Sequence, residues 1–307
     1  MQGSSRPENI PLGISLIIAT AFTISLQDVV FKLFSNSLSL WQIFALRGVF
    51  ALPALLGLGW ARRQLRVVAA GALQTWPLLR GLCLTTTFLC FYAAIPFLSL
   101  STVGAANYIA PIFVALLSAY VIGEAVGRLG WLGVILGFAG VLVLLRPGTD
   151  AFSLFAVLPV VGAAFYALGH IITRTKCQDV PVAALALSLN AVMVLAGLGV
   201  SLALLVLPVP AELIAAYPYI FGQWSAVTLG DWGVLALLAA FSVTIGLMLA
   251  GAYKIAPPAT VATFEYSYLV FVALWDILFF GLSPTPLSLA GMAMIVLAGL
   301  LVLRSRA

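Results

Sequence analysis

An acid inside a stretch suited to lipid is the first residue here that needs a chemical role. Glu265 lies within residues 257–281, PPATVATFEYSYLVFVALWDILFFG, a run long enough to cross a bilayer core. An ionisable side chain at that depth costs about 2.5–3.5 kcal/mol to insert. It therefore usually faces a bundle interior or a wet cavity, where it can hold a cation or exchange a proton. Asp28, in SLQDVVFK, is a second such acid; it can meet a substrate cation or pair with Lys32, four residues on. Arg47 can pair with Asp28 or bind a carboxylate. His170, the single histidine, can relay protons or simply pack near a helix end. Tyr92, Tyr108 and Tyr266, with Tyr166, Tyr268 and Trp275, can stack on a planar ligand or cage an onium cation; packing is the alternative role. Arg80, near a helix end, is expected to snorkel, and Asp276 to be solvated.

The elements that must position these residues follow from composition. Of 307 residues, 64% are hydrophobic and 7% charged, against about 25% charged in a soluble domain. The solvent is lipid. The net charge of +5 does not point to nucleic acid, because no basic patch is interleaved with aromatics. Cys83, Cys90 and Cys177 form no metal-binding or disulfide pattern, and Cys83 and Cys90 are expected to share a packed helix face. No cofactor or metal site is expected. The polar N-terminus lacks the charge of a signal peptide, so the first apolar stretch is read as a span.

Ten spans are expected, near 11–33, 40–59, 76–98, 101–122, 130–146, 152–173, 181–206, 231–253, 257–280 and 287–304, all helical because lipid offers the backbone no partners. With the N-terminus inside, the cytoplasmic segments hold ten Lys and Arg residues and the outer segments two, Lys32 and Arg146. Both termini are then cytoplasmic. The outer segment 207–230 is either an interfacial segment or a plain connector.

The chain also repeats. At an offset of 158, Thr102, Val103, Tyr108, Phe113, Val114 and Gly123 meet Thr260, Val261, Tyr266, Phe271, Val272 and Gly281, with Asn107 opposite Glu265. Ala139, Gly140, Leu142, Val143 and Leu144 match Ala298, Gly299, Leu301, Val302 and Leu303 at an offset of 159. The expected fold is all-α: two five-helix repeats, 1–150 and 151–307, the second inserted upside down because five is odd. Secondary carriers use this plan, with the substrate near the midplane. Inversion places Asp28 with Asn107 in an outer tier and His170 with Glu265 in an inner tier, around a cavity reached alternately from each face. Gly133 and Gly137 form GxxxG, a surface for close packing against the last helix or a second subunit.

At this point the chain resembles the EamA type of the drug/metabolite transporter superfamily. The likeness is carried by the two repeats, by the Gly123–Glu124 pair and by the following GWLGVILGFAGVLVLLRPG. SLQDVVFK, WQIFALRG, LLRG and FEYS are similar to the branch that includes S-adenosylmethionine transporters. The segment AFTISLQD departs from the amino-acid exporters, which usually carry Trp-Gly or Trp-Ser there. The resemblance implies a ten-helix basket with a central cavity and alternating access, as a monomer or homodimer in the inner membrane. The sequence on its own excludes an ATP-driven pump, having no GxxxxGKS loop, and speaks against an enzyme, having one histidine and no HExxH. The expected function is a secondary carrier of a small polar metabolite, zwitterionic or cationic, with protons as the coupling ion. The alternative is a broad drug or amino-acid exporter, or a riboflavin-like vitamin carrier.

Overall fold

A chain with no water to bond must satisfy its backbone internally, and this one does so with helices. The computed structural model describes residues 9–34, 38–98, 103, 109–123, 127–145, 154–265, 267–283 and 285–304, and among them there is no strand. The helices are α1 (Ile10–Phe34), α2 (Leu40–Leu46), α3 (Gly48–Ala61), α4 (Leu65–Ala72), α5 (Thr75–Ala94), α6 (Ala110–Leu117), α7 (Arg128–Leu145), α8 (Val157–Lys176), α9 (Val182–Val206), α10 (Ala211–Ala216), α11 (Pro218–Phe221), α12 (Leu229–Ile255), α13 (Pro258–Phe264), α14 (Ser267–Phe280) and α15 (Pro286–Arg304). Among the described residues, seven helical stretches are long and apolar enough to span a bilayer, and three shorter apolar ones cover Ile112–Val121, Arg128–Gly140 and Pro286–Ala298.

Local chemistry sets the helix ends. Ser39 caps α2 by accepting from the Gln42 backbone N–H. Thr228 and Asp231 form a reciprocal capping box at the start of α12. Gly123 and Gly281, matched in the repeat, both take the left-handed conformation (φ 81° and 63°) that stops a helix at little cost without a Cβ. The run 257–280 holds the apolar stretch Thr260–Phe280, within which α13 ends at Phe264 and α14 starts at Ser267, with Glu265 between them. The connection over 207–228 carries α10 and α11. It is tied down where Trp41 Nε1 donates to the Ile220 carbonyl (2.6 Å) and the Gln42 amide donates to and accepts from the Ser225 backbone (2.8 and 3.1 Å).

Small residues let the helices close. On α8, Gly162 and Gly169 are seven apart and face Cys90 and Cys83 of α5, also seven apart; a Cβ on Gly162 would sit 3.1 Å from Cys90 Cβ. The Thr87 hydroxyl crosses this seam to the Gly162 carbonyl (2.9 Å). The most extensive pairing is α7 with α15, where Gly137 meets Ala298. Other major pairs are α5–α8, α1–α12, α2–α9, α1–α14 and α6–α8. Outward, α9 exposes Leu195, Leu198, Leu202 and Leu205 at helical spacing. In water such a stripe would be a liability, but against lipid it costs nothing.

Candidate functional site

The buried acids converge. Asp28 from α1, Phe88 and Tyr92 from α5, Tyr166 from α8, and Glu265 with Tyr268 from the α13–α14 region all line one cavity. About 60 Å³ of it admits the centre of a water molecule. A single water needs about 10–15 Å³ on that measure, so a metabolite enters only when the helices part.

Each acid is held by tyrosine. Glu265 Oε1 accepts from the Tyr166 hydroxyl at 2.8 Å and from the Tyr253 hydroxyl at 2.7 Å. The interruption between α13 and α14 leaves Glu265 out of both helices, so its side chain is placed by these partners rather than by a helix face. Asp28 Oδ2 accepts from Tyr268 at 2.6 Å, while Asp28 Oδ1 has no hydrogen-bond partner although the residue is fully buried. Tyr92 is stacked on Phe31 at 3.8 Å, and its hydroxyl accepts from the Gln27 amide. Trp275 Nε1 donates to Ser25 at 2.9 Å, fastening α14 to α1.

Several expected partnerships are replaced. Lys32 does not pair with Asp28; it donates to the Leu98 carbonyl (3.0 Å), stands over Phe280, and lies within electrostatic reach of Asp276. Asp276 is 2% exposed, so it is buried rather than solvated. Arg80 does not snorkel: it is fully buried, donating to Thr173 Oγ1 (2.7 Å) and the Leu185 carbonyl (3.2 Å), which clamps α5 to α8 and α9. Arg47 does not reach Asp28; Nη2 points at Met193 Sδ (2.6 Å) and the guanidinium lies over the Phe44 ring. His170 does not touch Glu265. It packs between Tyr253 (3.9 Å, stacked) and Tyr166 (4.2 Å), the two tyrosines that hold Glu265, and neither ring nitrogen has a hydrogen-bond partner. Asn107, Tyr108 and Tyr266 lie outside the described residues. Among those described, no group of three His, Cys, Asp or Glu side chains could hold a metal ion.

Residues 11–146 match the EamA-like transporter family model. The pseudopaline exporter of Pseudomonas aeruginosa is 24% identical over 296 residues, 96% of each chain. The chain is thus similar to the EamA-type transporters. A riboflavin transporter of Rhizobium johnstonii is 26% identical, covering 88% of this chain and 82% of its own. Another, of Vibrio cholerae, is 28% identical over 61% of this chain and 57% of its own. A solved crystal structure, 19% identical, overlays with a TM-score of 0.65 across 97% of both chains, which shows a shared fold. The protein is thus a multi-pass membrane transporter acting on a small molecule, and not an enzyme.

Sequence reasoning missed Tyr253 and Gln27. Tyr253 sits on α12 near Lys254, a position that read as a helix end beside a topology charge. The available signal for Gln27 was its place next to Asp28, an amide in a span where amides are rare.

Proposed function

We propose that the protein is a secondary active transporter of a small polar organic metabolite, zwitterionic or cationic, working by alternating access in the inner membrane. The observation that carries this is the pair of acids on one cavity, Asp28 and Glu265, each held by tyrosine hydroxyls, with an Asp28 oxygen lacking any partner. A cation of the substrate would meet Asp28, with Tyr92 and Tyr268 beside it. Glu265 would bind the same cation or exchange a proton for it. Asn107, Tyr108 and Tyr266 join this site on sequence grounds, and His170 tunes Glu265 through its two tyrosines.

The packing supports two repeats, 1–150 and 151–307. When the halves are exchanged, α5–α8 becomes α12–α1, α1–α14 becomes α8–α6, and α7–α15 and α2–α9 return themselves. Five spans per half would invert the second repeat and leave both termini in the cytoplasm.

Thermal unfolding of the detergent-purified protein against S-adenosylmethionine, amino acids, choline compounds and riboflavin tests the reading. A ligand at about 100 times its dissociation constant adds roughly 2.7 kcal/mol to the folded state. Stabilisation by S-adenosylmethionine or another cationic or zwitterionic compound, weakened in Asp28→Asn, is the expected result. Stabilisation by neutral compounds alone would overturn it. The vitamin-carrier alternative has its own support in the riboflavin transporters among the relatives, and selective stabilisation by riboflavin would favour it.

A further inference from the structure

Arg47 is 1% exposed, and among the described residues no acid pairs with it. The titratable groups within its electrostatic reach are the Tyr92 and Tyr219 hydroxyls. Its polar contacts are one thioether and one ring face, and Nε has no partner. A guanidinium stays charged in a protein, and a buried charge without a counter-ion is strongly unfavourable. Met or Leu would suit neighbours such as Phe44 and Met193 without this cost, so a buried guanidinium here calls for an anion.

The surroundings hold about 10 Å³ of space for a water centre, room for about one water, so a carboxylate enters only when the helices part. Arg47 lines a second, smaller cavity with Gln27, Phe88, Met193 and Ser242, and Phe88 also walls the acid cavity, so the two compartments are neighbours. Tyr219 of α11 is buried with its hydroxyl unpartnered. Burial pushes that hydroxyl above its ordinary range, so it stays an O–H donor. Hydroxyl and guanidinium are both donors, which is the set a carboxylate needs.

We propose that Arg47, with the Tyr219 hydroxyl, is the carboxylate-binding half of the substrate site, facing the acid cavity across Phe88. This rests on the transport reading above and narrows its substrate class to compounds that carry a carboxylate as well as a cation. Tyr219 is already buried within electrostatic reach of Arg47, so the 207–230 connection takes part in recognition.

The test uses the full-length protein in detergent at constant ionic strength, exchanging bulky isethionate for acetate or chloride. Acetate should raise the unfolding temperature by about 2 °C or more. The rise should vanish in Arg47→Met and shrink in Tyr219→Phe. Without acetate, Arg47→Met should unfold at the wild-type temperature or above, since it removes an unpaired buried charge. Stabilisation by chloride and not acetate would overturn the carboxylate assignment in favour of a halide site. No anion response, with Arg47→Met unfolding well below wild type, would make Arg47 a packing residue and overturn the proposal entirely. Tetramethylammonium, a cation with no carboxylate, separates this from the acid cavity: loss of its effect in Asp28→Asn belongs to the transport reading, and the acetate response to Arg47.

Discussion

Tyr166 and Tyr253 direct two hydroxyls at a single oxygen of Glu265, and this arrangement separates structure from function at one residue. Tyr253→Phe keeps the ring stacked on His170 and removes one O–H. Stability should fall by about 1 kcal/mol in denaturant unfolding. Glu265→Gln can still accept both hydrogen bonds, so the fold should survive, but it cannot titrate. Transport into proteoliposomes should then lose its pH dependence, and an unchanged pH profile in this variant would remove Glu265 as the proton carrier. Arg80 shows where residue-level reading stops. Its place near a helix end suggested snorkelling, yet its partner Thr173 is 93 positions away, and no local pattern reveals such a partner.

Among the elements, α5 and α8 meet along a seam set by a seven-residue spacing on both sides. Gly162→Leu must push Cys90 or the Thr87 backbone aside, and overpacking of this kind costs about 1–3 kcal/mol. Gly199 of α9 has nothing within 4 Å of where a Cβ would stand. There Gly199→Ala should raise stability by roughly 0.5–1 kcal/mol, because glycine is the poorer helix former. Opposite signs in the two unfolding curves would support the seam; equal effects would show that it does not constrain the helices. The α13–α14 interruption is a further lesson at this scale. Apolar composition continues through Glu265, so hydropathy reads one span. The break becomes visible only when Tyr166 and Tyr253, from two other helices, converge on the residue between the pieces.

For the whole molecule, orientation is the first consequence of charge. Lys254, on the cytoplasmic side in this reading, donates to the Val180 carbonyl at 2.5 Å, and Arg174 donates to the Lys254 carbonyl, so these charges also fasten α12 to α8 and to the connection between α8 and α9. A membrane-impermeant thiol reagent applied to intact cells should label Ala226→Cys, with the native cysteines replaced. Arg63→Cys should be labelled only after permeabilisation. Both positions are exposed, so the reverse pattern would invert the proposed topology.

The sequence by itself determined that this chain lives in lipid as helices, because so apolar a composition cannot stay folded in water and lipid leaves the backbone no other partner. It showed matched residues at a constant offset, which need no structure to be seen. It marked Asp28, Glu265, Arg47 and His170 as expensive residues, since charge in a span is costly wherever it points. Only the tertiary structure decided which of these meet. Asp28 takes Tyr268 from 240 residues away and not Lys32 from the next turn. Glu265 takes two tyrosines and not His170, and among the described residues Arg47 takes no acid. A side chain's partner depends on how helices cross, and crossing is set by the shapes of surfaces distant in sequence, such as Gly162 against Cys90, rather than by spacing along any one helix.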